Sequence, residues 1–212
     1  KASVNRWEGS IALDVTGKAT MKASNSPLGH AGSIIRTYFD VEGQQKNTFD
    51  SFIGEFAPGA ATTKVETSKL DDLNTPAKIS VEVTLTGLGQ AGNSGLTFPA
   101  HFMSTDYTRT ALGYLDSRTT DMILPRVDGE KSSITLEAPE GMKPGKLPES
   151  ISFKGKHVEY SLSFELKDKN IVVKRELYLH GSVVEVADFK TFRENLVKAA
   201  KADQTLVEFV KE

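Results

Sequence analysis

The chain has 212 residues, 38% apolar and 25% charged, with a formal net charge of −2 and no cysteine. That balance belongs to a folded domain with no electrostatic field for recruiting nucleic acid or an anionic membrane. The missing cysteine excludes disulfides, thiolate metal sites and a thiol nucleophile within these residues, and no apolar run approaches the ~18–20 residues that span a bilayer, so no membrane insertion is expected.

In chain order, Trp7, Ile11, Leu13 and Val15 precede a turn at Thr16-Gly17, and Ala19, Met21 and Ala23 alternate beyond it, which predicts a first hairpin. After Pro27-Leu28-Gly29, the residues Ile34, Ile35, Tyr38 and Phe39 fall at helical spacing and predict a helix over about 30–41. Phe49, Phe52, Ile53 and Phe56 predict a second helix, with Asn47 and Thr48 as capping candidates and Pro58-Gly59 as the stop. Its aromatic stripe reads as core rather than as a ligand platform. Thr63, Val65 and Thr67 mark one strand, and Ile79, Val81, Val83 and Leu85 another. Residues 1–99 therefore read β-β-α-α-β-β, an antiparallel sheet with two helices on one face. A boundary is placed at Thr97-Phe98-Pro99.

Residues 102–117 are ambiguous between irregular chain and a short helical turn. Strands return with Thr120, Met122 and Leu124, stopped by Pro125, and with Ile134, Leu136 and Ala138, stopped by Pro139-Glu140-Gly141. A proline-bearing loop over Met142 to Pro148 leads through Ile151 and Phe153 to a long hairpin over 157–179. In it Val158, Tyr160, Leu162, Phe164 and Leu166 share one face of the first strand, and Ile171, Val173, Arg175, Leu177 and Leu179 share one face of the second. Phe189, Phe192, Leu196, Ala199 and Ala200 mark an amphipathic helix at about 187–202, a candidate cover for the hairpin, before an extended Leu206 to Val210. The whole reads as α+β and mainly antiparallel, with residues 100–212 forming a β-sandwich-like module that ends in a helix.

Motifs with chemical meaning are few. Gly87-Leu88-Gly89-Gln90-Ala91-Gly92 has the letters of a dinucleotide fingerprint, but Leu96-Thr97-Phe98-Pro99 follows where a phosphate-binding helix is required, so it reads as a turn. His30, His101, His157 and His180 lack metal-ligand spacing. Ser94 is not in a nucleophile elbow. Asp71-Asp72 lacks the alternating acids of a calcium loop and reads as a solvated turn. Lys167, Lys169 and Lys174 at the hairpin tip, interleaved with Glu165 and Asp168, read as a solvated, edge-protecting end. No catalytic, cofactor-binding or metal-binding residue is assigned. Three aromatics, Trp7, Tyr107 and Tyr114, are the candidates for a binding face, against partly buried core or rim positions.

From Leu115 to Val210 the order of features resembles the C-terminal region of exported bacterial transglutaminase-like proteins. The likeness is carried by Arg118 to Pro125, Ile134 to Gly141, Leu147-Pro148, the long hairpin, and Asp188 to Leu196 with Phe189 and Phe192. The earlier half is also similar, at Leu13 to Ala19 around Gly17, at Gly29 to Phe39 with Arg36, and at Ser68 to Pro76. That family joins an N-terminal domain of unknown function, a papain-like transglutaminase core and a β-rich tail. The resemblance implies a periplasmic or extracellular, non-catalytic accessory region whose partner is an upstream transglutaminase-like domain of the same polypeptide. It also implies that the catalytic cysteine, histidine and aspartate lie before Lys1, and a start at Lys1 without Met or an apolar leader reads as a piece cut from something longer or a processed product. The alternative is an independent extracellular module that binds protein or glycan.

Overall fold

The computed structural model describes residues 3–104, 107, 110, 112–124 and 128–212, with the backbone alone at 128. The first hairpin forms as its alternation requires, from β1 (Ser3–Leu13) and β2 (Ala19–Asn25), with Trp7 opposite Asn25 and Leu13 opposite Ala19. Helices α1 (His30–Phe39) and α2 (Gln45–Gly54) follow, and then β3 (Ala61–Thr67) and β4 (Ile79–Leu85). Helix α2 begins two residues before the expected cap. Asn47 lies inside its first turn, and its side-chain amide donates to Gln44 Oε1 at 3.0 Å rather than capping the backbone.

The remaining strands are β5 (Gln90–Ala91), β6 (Gly95–Pro99), β7 (Met122–Ile123), β8 (Asp128–Glu137), β9 (Met142–Pro144), β10 (Ile151–Lys154), β11 (Val158–Lys167), β12 (Asn170–Leu179), β13 (Val183–Val184) and β14 (Leu206–Lys211), with α3 (Val186–Asp203) before the last. Eight of them make one sheet in the order β10-β11-β12-β8-β1-β2-β4-β3. Its neighbours are antiparallel except at the centre, where β1 runs parallel to β8 with Asn5 beside Glu130 and Trp7 beside Ser132. Strands from both halves of the chain thus share a single sheet. A second sheet, β5-β6-β14-β9, likewise joins the two halves, and β7 pairs with β13. The fold is α+β and mainly antiparallel, with a C-terminal helix.

The large sheet has one wet face and one covered face. Outward pairs such as Lys22–Glu82 (3.9 Å), Lys131–Glu176 (2.5 Å) and Lys154–Glu159 (2.9 Å) lie across neighbouring strands, where solvent screens them and they add little to stability. On the inner face Ile11, Met21, Ile79, Val81, Leu136, Leu162, Val173 and Leu177 pack in one core with Phe39 of α1, Phe49 and Ile53 of α2, and Phe189, Phe192 and Leu196 of α3. Trp7 meets Phe49 at a ring distance of 6.1 Å. Arg36 clamps the Ser68–Pro76 connection by donating to the carbonyls of Leu70 and Thr75.

Three expectations shift. The alternation of the long hairpin predicts burial out to Leu166, but Phe164 is only half-buried and Leu166 is 57% exposed. Strand β10 flanks β11 only as far as Leu162, so the end of β11 is an edge, whereas β12 stays between β11 and β8 and keeps Ile171 and Val173 buried. The loop expected over Met142 to Pro148 contains β9, three residues paired with β14 and too short to show a period. Of the strand expected from Thr120 to Leu124, only Met122–Ile123 pairs.

Candidate functional site

Two charged residues sit where the patterns demand apolar ones. Arg175 occupies an inward position of β12, between Val173 and Leu177, and is 2% exposed. Asp203 continues the stripe Phe189, Phe192, Leu196, Ala199 of α3 and is 7% exposed. They meet as a fork: Arg175 Nε donates to Asp203 Oδ1 at 2.7 Å and Nη2 to Oδ2 at 2.9 Å. Tyr160 Oη also donates to Asp203 Oδ1, at 2.7 Å. The third guanidinium nitrogen, Nη1, donates to Glu130 Oε2 at 2.9 Å, and Tyr107 Oη donates to the other oxygen of Glu130 at 2.9 Å. A carboxylate at a helix C-terminus opposes the helix dipole, and the fork offsets this with charge-assisted bonds of favourable geometry.

This network fixes the protonation of its members. Burial disfavours the charge on Arg175, but the hydrogen bonds and field of Asp203, with Glu130, more than offset it and raise its pKa further. Burial and the charge of Asp203 raise the Tyr160 hydroxyl, so it remains a donor. Burial and the charge of Arg175 push His101 down to about 4 against a weaker opposing pull from Asp203. His101 is therefore neutral near pH 7, with its Nε2 buried and unpartnered.

Glu130 links this cluster to a cavity of about 650 Å³ between the sheet and the helices α1 and α2. Its floor is a row of the inner face, with Glu130 on β8, Asn5 and Trp7 on β1, Asn25 on β2 and Ile79 on β4. Its roof comes from Ala31, Ile34, Ile35, Tyr38 and Phe39 of α1 and from Thr48, Phe49, Ser51 and Phe52 of α2. The stripe of α1 explains the opening. Phe39 is buried, but Ile34 is 43% and Tyr38 64% exposed, so half of an apolar face borders the cavity mouth instead of the core. A largely apolar concavity of this size with a few polar groups suits a small ligand or one or two side chains.

Of the three aromatic candidates, Trp7 and Tyr107 both line this cavity, Trp7 from the floor and Tyr107 beside Glu130. Tyr114 is 72% exposed and does not line it. Among the motif residues, the Arg118 guanidinium lies over the Phe189 ring at 5.3 Å, and Phe192 packs edge-on to His157 at 6.3 Å. Pro139 and Gly141, with φ 70, form the turn into β9, and Leu147 packs against the core with Pro148 beside it half-buried. Pro125 lies outside the described residues. The glycine-rich Gly87 to Gly92 leads into β5 and β6, not a helix, and Gly89 packs backbone to backbone against Gly17. His157 and His180 approach each other, with His157 Nδ1 3.1 Å from the His180 carbonyl and His180 Nε2 3.1 Å from Glu159 Oε2. Among the described residues no group of three potential ligands could hold a metal ion, and no helix is long and apolar enough to cross a membrane.

Comparison with known proteins places residues 94–209 in a family described as a Domain of Unknown Function with solved-structure structure (DUF3858). The chain belongs to this family. The family span runs from β6 nearly to the end of β14 and contains the whole Arg175–Asp203–Tyr160–Glu130 cluster, His101 and Tyr107, whereas Trp7, Asn25, α1 and α2 lie before it. The cavity is thus built jointly by the DUF3858 span and the residues that precede it. No curated protein matches the chain. A crystal structure described as a "putative protease" from Parabacteroides distasonis ATCC 8503 is similar over 49% of this chain and 21% of that one, with 16% identity and a TM-score of 0.41. The matched half of this chain spans about a fifth of that protein's length.

Proposed function

We propose that the chain is a non-catalytic accessory region of a larger, exported transglutaminase-like protein, and that its cavity receives a substrate segment or partner for the rest of that protein. The observation that carries the binding role is the convergence of Trp7 and Tyr107 on one largely apolar cavity, roofed by helices whose apolar faces are not fully covered. The transglutaminase-like parent is supported by the order of motifs from Leu115 to Val210. The non-catalytic role is supported by the lack of cysteine and by the chemistry of the buried cluster. Both oxygens of Asp203 and of Glu130 accept charge-assisted or hydroxyl hydrogen bonds, and the Tyr160 hydroxyl is held protonated, so these groups are neither a free base nor an activated nucleophile.

An independent extracellular module that binds protein or glycan would use the same cavity, and the apolar lining favours a peptide side chain over a sugar. The test is a peptide and glycan array probed with the chain and with Ala31→Phe, which fills the cavity from the first turn of α1. Saturable binding lost in Ala31→Phe, with an unchanged circular dichroism spectrum, supports the cavity as contact site. Binding that is indifferent to the filled cavity contradicts it, and turnover of an amide substrate abolished by one side-chain substitution contradicts the non-catalytic role.

A further inference from the structure

The large sheet ends on β3, whose outer edge no other strand covers among the described residues. The phase of its ladder with β4 follows from Ser68, whose N–H donates to the Lys78 carbonyl at 2.9 Å. Residues of an antiparallel pair alternate between bonding the neighbour and facing away from it. The backbone of Lys64 and Glu66 therefore bonds to β4, opposite Glu82 and Ser80, whereas the N–H and C=O groups of Val65 and Thr67 point out of the sheet edge. The Thr62 N–H is taken by Asp50 Oδ1 of α2 at 2.8 Å, so the open stretch is 63–67. The bulge that shifts the register lies between Thr62 and Lys64, at one end of that stretch.

Open edges are usually blunted by a lysine or a bulge. Lys64 is such a lysine, but Glu66 lies beside it on the same outer face, with Nζ and Oε1 2.8 Å apart. The edge thus carries one charge of each sign, placed symmetrically about Val65. If β3 pairs antiparallel with β3 of a second copy across a two-fold axis at Val65, Lys64 of each chain faces Glu66 of the other. Val65 then exchanges both backbone hydrogen bonds with its counterpart, and the two Val65 side chains meet on the inner face that Val65 shares with Val81. The register is specific. Sliding one copy to the next permitted register sets either Glu66 against Glu66 or Lys64 against Lys64, and like charges directly opposite are destabilising. The other edge of the sheet, β10, has Lys154 as its single charge and offers no such match.

We propose that β3 is a self-association edge, through which two copies of the chain pair antiparallel over residues 63–67 and join their eight-stranded sheets. The contact is isologous and closes on itself, so association stops at the dimer. A ladder this short makes a small interface, so the dimer is transient and forms as concentration rises. This goes beyond the binding role of the cavity and does not depend on it.

Sedimentation velocity over a dilution series at low ionic strength tests the proposal, and a reversible monomer–dimer equilibrium is expected. Lys64→Glu and Glu66→Lys each set like charges opposite one another and should weaken the dimer at least about tenfold. Both side chains are more than half exposed, so both variants should keep the circular dichroism spectrum of the unmodified chain. The double variant Lys64→Glu with Glu66→Lys restores opposite pairing and should recover the dimer. An equimolar mixture of the two single variants should also recover it, as a heterodimer, because every facing pair is then of opposite sign. A chain that stays monomeric throughout the series overturns the proposal. So does a dimer indifferent to the single reversals, which would place the contact elsewhere. Single variants that dissociate, with neither the double variant nor the mixture restoring the dimer, overturn it as well.

Discussion

Replacing Arg175 by methionine tests how the two halves of the inner face are held together. Methionine preserves most of the side-chain length and its packing over Tyr160, where the guanidinium sits 5.6 Å from the ring centre. It removes the three donors that serve Asp203 and Glu130. Asp203 is then a carboxylate only 7% exposed, with Tyr160 Oη as its remaining side-chain donor. Breaking a buried pair from one side costs about 3–5 kcal/mol, and for a chain of this size that corresponds to a fall of roughly 6–20 °C in Tm. Urea unfolding followed by circular dichroism and by Trp7 emission gives the free energy, and an unchanged slope shows that the same structure is unfolding. The double variant Arg175→Met with Asp203→Leu removes both charges of the fork and should recover part of the loss, because an apolar replacement of a buried pair is close to neutral, while Glu130 loses its cation and keeps the hydrogen bond from Tyr107. A single-variant loss below about 1 kcal/mol, or a double variant no better than the sum of the two singles, would refute the buried fork as the joint between α3 and the sheet.

Other expectations are narrower. His101 is held at about 4 by burial and Arg175, below the unfolded value of ~6.5. The unfolded chain therefore binds the extra proton first, and stability should fall as pH drops from about 6.5 to about 4, by about 3 kcal/mol. His101→Gln should flatten that part of the pH–stability curve, and an unchanged slope would mean that His101 is charged in the folded chain. Leu162→Ala should cost about 2–5 kcal/mol, while Leu166→Ala, at the exposed edge of β11, should stay within about 0.5 kcal/mol; equal losses in urea unfolding would mean that the hairpin tip is covered. A Cβ at Gly9 would lie 2.2 Å from the Lys22 carbonyl oxygen and 2.6 Å from Ala23 Cα. Gly9→Ala should therefore part β1 from β2 and cost about 1–3 kcal/mol in the same assay.

Much of the fold is legible in the residues. The period of two in Ile79 to Leu85 and in Ile171 to Leu179, and the helical spacing of Phe49, Ile53, Phe189, Phe192 and Leu196, place these side chains in the core. Local patterns say nothing about which strands become neighbours, so the parallel contact of β1 with β8 leaves no trace in either segment. The short β7, β9 and β13 have too few residues to display a period. Arg175 is visible as a charge at an inward position of an apolar pattern, whereas Asp203 lies one residue beyond the helix expected to about 202, and their pairing depends on α3 ending over β12. The cavity was half visible. Ile34 and Tyr38 read as a helix stripe, and only the tertiary placement of α1 leaves them at an opening. Asn25 gives no sign of its place in the cavity floor, because a polar residue at the end of a strand ordinarily belongs to a turn.

The most direct measurement of the account is an amide-resolved NMR titration of the chain with 2-phenylethanol as a small aromatic probe. Saturable shifts confined to the cavity, at Ala31, Ile35, Phe49, Phe52 and Gly129, are predicted, with the outer-face residues Lys22, Glu82 and Lys131 unmoved. Shifts scattered over the surface, centred on the outer face, or absent at saturating probe would contradict a binding site between the sheet and its two helices.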